Sequence, residues 1–559
     1  MITTDDPRLT GRFYTPPGVA DLVLELARHG GSDTVWDPTC GDGVFLQVAR
    51  RRGHAPQRLF GSDVDGAALG RVGVEGATLK EVDVFSLAPG DLQPMDAIVG
   101  NPPFVRIERL DPAYRAWVQG VVAEGLGFSP PAQADLSLLV LLHCTRFLAP
   151  GGRLAFVMPA TFLEAASAQP VRRWLLEEFG LRAVVESRQE PWFPAVSVNT
   201  VVVALERDSE QTTFAQLRGP ASAEQAWAIR GLSEADVDVR TLPRDDVAAF
   251  PRWSEPLRAP QVWFDVLRDG RGLRPLAAWK PAFLELKYGT KPGISAFFSP
   301  RGRGLEEAGV EAAYRRPFVR SLRDLSTYTL RPDSVRTELL HWEGEDPDRA
   351  DAPGLHRWIR KGKRSRTAAG VRWPQVQSVA GNRPWYRLRR VEAGDVVIPQ
   401  FRAARHVVHH NPDGVLVNNS AWWGRFTDPA WAEVGAALLN TSWAALAFEV
   451  CGRVNLGEGL LTVYGPELQR IPLPHPRRFV GTTEGEALLG AWRSMRERAV
   501  LPWGLEIGQE DREALDAAFF GALGLPDPTV GAAVRAGALR LMDDRTRLAG
   551  ALRRARRSG

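Results

Sequence analysis

The stretch Gly100-Asn101-Pro102-Pro103-Phe104 constrains the fold of this chain most, because it directly follows an apolar run at residues 95–99. Each proline lacks an N–H and holds φ at about −65°, and the first proline also restricts the backbone conformation of the asparagine before it. The pattern predicts a short buried strand that ends in a stiff loop. That loop places an amide side chain, a backbone carbonyl and an aromatic ring beside one another.

These groups suit a planar molecule that carries an exocyclic amino group. The side-chain oxygen of Asn101 and the carbonyl of Pro102 can accept its two N–H bonds, while Phe104 covers its face. Adenine is such a molecule. A surface Asn-Pro turn is the alternative interpretation of these five residues.

A strand, a tight turn and a helix are predicted upstream, between Thr34 and Arg52. The glycines at Gly41 and Gly43 let the backbone approach a ligand closely, and the helix N-terminus that follows is electropositive. Leu46 stands where a nicotinamide-type fingerprint needs its third glycine. The turn therefore indicates a different nucleoside cofactor.

Three carboxylates end successive predicted strands, namely Asp37, Asp63 and Asp83. Asp63 is placed to take both hydroxyls of a ribose, and Asp83 can accept a hydrogen bond from an adenine amino group. A helix cap or a solvated loop would explain any one of them. Their regular order on successive strand–helix units favours a cofactor site.

Alternating strands and helices over roughly two hundred residues predict an open doubly wound sheet with ligands at the carboxyl ends of its strands. Thr15 is predicted to cap a helix whose first residue is Pro16. A later aromatic loop, Pro191-Trp192-Phe193-Pro194, separates two strand candidates at residues 182–186 and 199–205.

The length of 559 residues predicts two or three domains, because a single core does not grow to that size. Apolar residues make up 44% and charged residues 24%, as in ordinary globular proteins. No apolar run is long enough to span a bilayer, and the first seven residues are unlike a secretory signal. The three cysteines are far apart, so neither a disulfide framework nor a zinc site is indicated. We expect a cytoplasmic protein.

The motifs in their order resemble those of adenine-N6 DNA methyltransferases of the gamma class, the TaqI-like enzymes. The matching segments are Gly11-Arg12-x-x-Thr15-Pro16-Pro17, Asp37-Pro38-x-Cys40-Gly41-x-Gly43-x-Phe45-Leu46, Asn101-Pro102-Pro103-Phe104, Gly151-Gly152-x-Leu154-x-Phe156-Val157-x-Pro159, and Trp192-Phe193-Pro194 with residues 198–203. Tyrosine is the commoner residue at the position of Phe104 in that family. The resemblance covers roughly residues 9 to 207.

The resemblance implies an α/β fold, with a doubly wound Rossmann-like class I methyltransferase sheet and a large C-terminal α+β target-recognition region. We expect an S-adenosylmethionine-dependent catalytic domain at residues 1–207, a connecting region at 208–260 and a DNA target-recognition region at 261–559. The catalytic motifs begin close to Met1, so we expect no fused nuclease and a separate restriction endonuclease or defence-system subunit as partner.

The resemblance also implies roles for single residues. Asn101 and Pro102, with Pro103 and Phe104 completing the motif, bind the target amino group, and Phe104 and Phe193 stack on the target base. The implied cofactor-binding residues are Thr15, Asp37, Pro38, Cys40, Gly41, Gly43, Asp63 and Asp83.

The implied activity is methyl transfer from S-adenosylmethionine to N6 of an adenine flipped out of duplex DNA, in restriction-modification or phage defence. Two other classes remain open. One is an RNA or protein-glutamine methyltransferase on the same fold, and the other is a DNA-binding subunit without turnover.

The most basic stretch lies in the second half, at residues 356–366, and contains Arg360, Lys361, Lys363 and Arg364. A DNA-phosphate contact and a solvated charged helix are equally good interpretations of this stretch. The pair His409-His410 has no acidic or cysteine partners at ligand spacing, so no metal is expected.

Overall fold

The structure is a computed structural model that describes residues 14–189, 191–193, 199–382, 384–388, 391–454 and 459–558. The chain divides into two compact units. The first comprises the described residues up to Ala259, together with Gly459 and the end of the chain from Asp544. The second comprises the described residues from Pro260 to Asp543 apart from Gly459.

Nine strands from the described part of the first unit form one sheet. They are β1 (Val35–Asp37), β2 (Leu59–Asp63), β3 (Thr78–Glu81), β4 (Met95–Gly100), β5 (Leu148–Pro159), β6 (Leu181–Ser187), β7 (Thr200–Glu206), β8 (Gln211–Leu217) and β9 (Val237–Pro243). Their order is β3-β2-β1-β4-β5-β7-β6-β8-β9. The strands β1 to β5 are parallel, whereas β7 is antiparallel to both β5 and β6. β8 is parallel to β6, and β9 is antiparallel to β8.

Helices cover both faces of this sheet, and the strand side chains alternate between two cores. The helices are Pro17–Ala27, Val44–Arg51, Gly66–Leu69, Pro112–Leu126, Leu136–Cys144, Thr161–Glu164, Gln169–Trp174, Ala223–Ile229, Arg244–Ala248 and Ser254–Arg258. On β5, Leu154 and Phe156 belong to one core, and Ala155 and Val157 belong to the other. This alternation follows the two-residue period of a strand. It confirms the predicted doubly wound architecture.

Two local predictions, the cap of the first helix and the end of the third strand, are wrong. The first helix begins at Pro17, with Pro16 extended at φ −58° and ψ 140°, because a residue that precedes proline is disfavoured in the helical region. Thr15 therefore does not cap it. The third strand ends at Glu81, and Asp83 instead accepts a backbone hydrogen bond at the start of a short 3-10 turn, Val84–Ser86.

Residues 208–260, predicted as a connecting region, contribute two strands to this sheet. β9 has no fully buried residue and carries Asp238 and Arg240, as is common for an edge strand. These charged residues obscure the alternation of apolar and polar residues by which a half-buried strand is recognised in a sequence.

The second unit combines small sheets with helices, as an α+β region does. Its strands are β10 (Arg274–Pro275), β11 (Leu284–Tyr288), β12 (Arg315–Val319), β13 (Glu338–Leu340), β14 (Val396–Pro399), β15 (Phe401–Arg402), β16 (His409–His410), β17 (Leu416–Val417), β18 (Ala421–Phe426), β19 (Arg453–Val454), β20 (Leu461–Thr462) and β21 (Pro472–Leu473). They pair in the orders β10-β21, β11-β18-β14-β16, β13-β12-β17 and β15-β20-β19.

The helices of the second unit lie between and after these strands. They are Gln261–Asp269, Ser295–Phe298, Gly304–Glu307, Pro353–Arg364, Gln377–Ala380, Ala432–Leu439, Ser442–Cys451, Gly465–Leu468, Thr483–Met495, Trp503–Glu506 and Glu510–Ala522. A final helix, Pro528–Ser558, contributes residues to both units. Within the described residues no single helix has the length and apolar character needed to cross a bilayer. One pair of helical segments in that part of the chain, Pro429–Leu439 and Ser442–Cys451, has the necessary length and composition when taken together, and it is bent by 75°.

Candidate functional site

The strand order of the first unit has its switch point between β1 and β4. From β1 the chain proceeds outward through β2 and β3, and then returns to place β4 on the other side of β1. In such sheets ligands bind in the crevice outside the carboxyl ends of the two strands at this point. Asp37 is the last residue of β1, and Asn101 directly follows β4. The two motifs predicted to carry chemistry therefore share one crevice.

The contact between these two motifs is close. A methyl group placed on Gly100 would lie 3.1 Å from Oδ1 of Asp37, which is tighter than ordinary van der Waals contact. The absence of a side chain at Gly100 thus lets the end of β4 approach the Asp37 carboxyl group.

The Asp37 carboxyl group is 1% exposed and accepts a hydrogen bond from the Thr39 N–H at 3.2 Å. Burial raises the pKa of Asp37 well above its usual value, the Thr39 hydrogen bond opposes the shift, and the charges of Asp63 and Asp42 add to it. A cationic ligand in this crevice would lower the pKa of Asp37 and stabilise its charged form.

The turn that follows β1 depends on two glycines in the left-handed region. Gly41 has φ 53° and Gly43 has φ 80°. A methyl group on Gly43 would lie 2.5 Å from Cγ1 of Val72, whereas one on Gly41 would meet no atom within 4 Å. One glycine is therefore required by packing, and the other borders open space that a ligand can enter.

The end of β2 holds this turn in place. The Gly41 N–H donates to Oδ2 of Asp63 at 2.9 Å, and the Asp65 N–H donates to Oδ1 of Asp63 at 2.9 Å. Each carboxylate oxygen keeps capacity for a second hydrogen bond. The hydroxyl of Ser62 donates to the Pro38 carbonyl at 3.0 Å, which ties the start of the turn to the same strand.

The Asn101 loop contacts the segment that precedes the first helix. The Asn101 side-chain amide donates from Nδ2 to Oγ1 of Thr15 at 3.2 Å, and Thr15 is only 7% exposed. Pro102 is buried and Phe104 is half-buried. This contact joins residues that are 86 positions apart, so no local sequence pattern predicts it.

The two predicted stacking residues lie in the same core. Phe104 packs against the cluster that contains Phe193, Trp192 and Cys40. Phe193 is 5% exposed, so its ring presents almost no face to a ligand in this conformation. The Gly11-Arg12 part of the first motif, Pro194 and Val198 lie outside the described residues.

Cys40 and Asp83 have different surroundings. Cys40 is buried, and burial raises the pKa of its thiol, which therefore stays protonated and packs against the core. Asp83 accepts from the Phe85 N–H at 3.0 Å through Oδ1 and from the Tyr114 hydroxyl at 2.9 Å through Oδ2. Tyr114 could not be recognised in the sequence, because a tyrosine in the first turn of a helix carries no motif of its own.

The predicted DNA-binding residues lie in the second unit, on the helix Pro353–Arg364. Arg360, Lys361, Lys363 and Arg364 are all exposed on it. Within the described part of the chain, no group of three or more His, Cys, Asp or Glu side chains is arranged to hold a metal ion.

Comparisons with known proteins agree with this division of the chain. Residues 2–237 match the model of the N-6 DNA Methylase family, and residues 281–501 match the model of the C-terminal domain of the Type II methyltransferase M.Eco57I.

Individual relatives match over shorter lengths. Type II methyltransferase M.XamI of Xanthomonas campestris pv. amaranthicola is 28% identical over 270 residues, covering 46% of this chain and 49% of that protein. Type II methyltransferase M.TthHB8I of Thermus thermophilus is 30% identical over 179 residues, covering 31% and 40%. These matches therefore span about half or less of the length of these relatives.

Among solved structures, the type IIG restriction endonuclease BpuSI aligns with a TM-score of 0.46 and 16% sequence identity. The alignment covers 96% of this chain and 66% of that one.

Proposed function

We propose that this chain, whose residues 2–237 match the model of the N-6 DNA methylase family, transfers a methyl group from S-adenosylmethionine to N6 of an adenine in duplex DNA. The observation that carries the proposal is the position of Asn101 and Pro102 at the carboxyl end of β4, beside the Gly41–Gly43 turn at the switch point of the sheet.

The residues around the glycine turn fit the proposed cofactor. S-adenosylmethionine is cationic at its sulfonium and amino groups. These charges suit a crevice that bears the Asp42 and Asp63 carboxylates, and they would favour the charged form of Asp37. The space beside Gly41 is open to a ligand. Asp63 would take the ribose hydroxyls with its remaining acceptor capacity, and Asp83, held by Tyr114, would lie toward the adenine.

In the proposed reaction the protein contributes mainly the positioning of the reactants and electrostatic stabilisation. The lone pair of the adenine amino group is delocalised into the ring, so this nitrogen is a poor nucleophile. Asn101 Oδ1 and the Pro102 carbonyl accept hydrogen bonds from its two N–H groups and draw the nitrogen toward tetrahedral geometry, which frees the lone pair. When bound, S-adenosylmethionine would supply the electrophilic methyl group. As the lone pair forms the C–N bond the C–S bond breaks, so the neutral thioether S-adenosylhomocysteine leaves and the nitrogen loses one proton to solvent.

The target base must leave the helix before these acceptors can reach it, at a cost of about a few kcal/mol. Phe104 is half-buried at the crevice and offers one ring for stacking, which is worth roughly 1–3 kcal/mol per base. Phe193 can contribute a second ring only after it turns out of the core in which it is buried.

The Thr15 hydroxyl holds the Nδ2 end of the Asn101 amide. Nδ2 and Oδ1 branch from one planar carbon, so pointing Nδ2 at the Thr15 hydroxyl turns Oδ1 the other way. We therefore assign Thr15 a positioning role for Asn101, in addition to the cofactor contact implied by its motif.

Replacing Thr15 with valine tests this role, since valine has nearly the same shape but no hydroxyl. We expect Thr15→Val to lower kcat by about 10- to 100-fold, as misplaced reacting groups do. Thr15→Ser keeps the hydroxyl and should retain kcat within about threefold. Single-turnover methyl transfer measures the rate, and calorimetry measures cofactor affinity. A weakened cofactor affinity with unchanged kcat would instead support a role in cofactor binding alone.

The activity itself is tested with S-adenosylmethionine labelled in its methyl group. Duplex DNA is expected to take up the label, which should elute as N6-methyladenine after digestion to nucleosides. Label in RNA or in a release-factor protein, and not in DNA, would identify one of the other methyltransferase classes. Cofactor binding without transfer to any substrate would identify a DNA-binding subunit. Long-read sequencing of DNA from an expressing host then gives the methylated sequence.

We further propose that the protein acts in the cytoplasm in restriction-modification or phage defence, with a separate endonuclease or defence subunit as partner. Co-purification from the native host followed by mass spectrometry tests the partner.

A further inference from the structure

The helix Pro353–Arg364 concentrates positive charge on one face. It contains five arginine and lysine residues and no aspartate or glutamate. Arg357, Arg360, Lys361 and Arg364 follow the spacing i, i+3, i+4, i+7, which places them on the same side of a helix. With Ser365 they line a surface recess of about 410 Å³. We call these four side chains the basic face.

The opposite side of this helix is fixed to the core of the second unit. Trp358 is buried, and its Nε1 donates to the Phe297 carbonyl at 3.1 Å. A methyl group on Gly362 would lie 2.8 Å from the rings of Phe297 and Trp385, so the helix backbone lies directly against these side chains. The basic face is therefore carried by a rigid support.

The N-terminus of the helix is also held. The Glu311 carboxylate accepts hydrogen bonds from the N–H groups of Gly354 at 2.7 Å and Leu355 at 3.0 Å. Burial acts to raise the pKa of Glu311, but these backbone hydrogen bonds and the charge of Arg357 lower it overall. The cap thus stays ionised and fixes the direction of the helix.

Within the part of the chain that the structure describes, no salt bridge joins the basic face to a carboxylate, and the Glu311 charge acts on Arg357 only. Other exposed cations of this unit are paired, such as Arg303 with Glu306 at 3.4 Å and Arg493 with Glu433 at 2.9 Å. Like charges three and four residues apart destabilise a helix by about 0.2–0.5 kcal/mol per pair. The helix dipole offsets this at Lys361 and Arg364 in the last turn but not at Arg357.

A charged helix that serves only solubility alternates the signs of its charges, and this one does not. The repulsion stored on the basic face would be relieved by a polyanion. Arg357 and Arg364 are seven residues apart, or about 10 Å along the axis, which matches roughly three phosphates of one DNA strand.

We propose that the basic face binds the phosphodiester backbone of duplex DNA and does not read its bases. The helix carries no asparagine or glutamine, the side chains that read adenine edges, and its one tryptophan, Trp358, is buried. Contacts of this kind set the position of a protein on DNA rather than its sequence preference. This inference rests on the proposed function for the identity of the polyanion.

The test compares two variants of the full-length protein with the same change in charge. The first replaces the basic face through Arg357→Gln, Arg360→Gln, Lys361→Gln and Arg364→Gln. The control replaces four ion-paired arginines of the same unit through Arg268→Gln, Arg303→Gln, Arg331→Gln and Arg493→Gln. Binding is measured by fluorescence anisotropy between about 50 and 200 mM salt, the range over which phosphate contacts are lost.

The basic-face variant should reduce the slope of log K against log salt by about 2 to 3, since each phosphate contact contributes about 0.9. Its affinity should fall by the same factor for a mixed-sequence duplex and for a duplex carrying the methylated site, so that their ratio is unchanged. With saturating DNA, kcat should stay within about threefold of the wild-type value while KM for DNA rises. The control should change the slope by less than about 1.

An equal change of slope in the two variants would overturn the proposal, and so would a changed ratio between the two duplexes, which would indicate base reading. Tighter binding of an RNA duplex than of a DNA duplex by the basic face would identify RNA as its ligand and overturn it too. Because the slope is measured without turnover, it is independent of methyl transfer. If wild-type protein binds DNA with a steep slope but transfers no methyl group, only the proposed function fails.

Discussion

Asn101→Ala is expected to lower kcat for methyl transfer by about 10³-fold, the upper range for loss of one preorganised polar group in a reaction centre. The alanine removes the side-chain acceptor for one hydrogen of the adenine amino group and leaves only the Pro102 carbonyl. The nitrogen would then remain closer to planar, with its lone pair in the ring. Cofactor affinity, measured by calorimetry, should stay within about threefold, because Asn101 does not belong to the glycine turn.

Asn101→Asp provides the matched control for this variant. It keeps an oxygen at the position of Oδ1, and its second oxygen can accept from the Thr15 hydroxyl where Nδ2 now donates. We expect it to be at least about tenfold more active than the alanine variant. Single-turnover transfer of labelled methyl groups to duplex DNA distinguishes them. An alanine variant within tenfold of wild type would remove Asn101 from the reaction centre.

The sheet and the glycine turn could be predicted because their signals are local. An apolar run that ends in a carboxylate or an asparagine marks the end of a buried strand, and β1, β2 and β4 end at Asp37, Asp63 and Gly100 as predicted. Gly41 and Gly43 both adopt left-handed backbone angles, and two close glycines after a strand indicate such a turn in the sequence. Such features need no knowledge of distant residues.

The contacts that orient the side chains could not be predicted, because they join residues far apart in the chain. Thr15 was predicted to cap a helix, but the proline after Pro16 moves the helix start and leaves the Thr15 hydroxyl to Asn101. Tyr114 meets Asp83 only because the helix Pro112–Leu126 packs beside the turn. The burial of Phe193 likewise depends on a core assembled from many elements.

The basic stretch shows a third case, in which the sequence leaves two interpretations open and the structure supplies a reason to prefer one. Composition alone fits a solvated helix as well as a DNA contact. The spacing of Arg357 and Arg364 on one face, the lack of paired carboxylates among the described residues and the anchoring of Trp358 favour the DNA contact. The salt dependence of binding then decides between them.

Gly43→Ala is expected to weaken the binding of S-adenosylmethionine by at least about 30-fold, which corresponds to about 2 kcal/mol. A left-handed φ costs a non-glycine residue about 1–2 kcal/mol. The new methyl group would also lie 2.5 Å from Cγ1 of Val72, a buried and β-branched side chain with little freedom to move. The turn can relieve both strains only by moving, and that moves the Gly41 N–H away from Asp63. Binding would then have to restore the strained turn.

Gly53→Ala is the control, because Gly53 also has a left-handed φ, of 94°, but a methyl group there would meet no atom within 4 Å. It should lower the thermal stability of the protein through the same backbone strain, about 1–2 kcal/mol, and leave the Kd for S-adenosylmethionine within about threefold. Calorimetric titration with S-adenosylmethionine and thermal unfolding of both variants separate the two effects. Equal losses of affinity in the two variants would mean that general destabilisation, and not the shape of the glycine turn, controls cofactor binding. Unchanged affinity in Gly43→Ala would place the cofactor away from this turn.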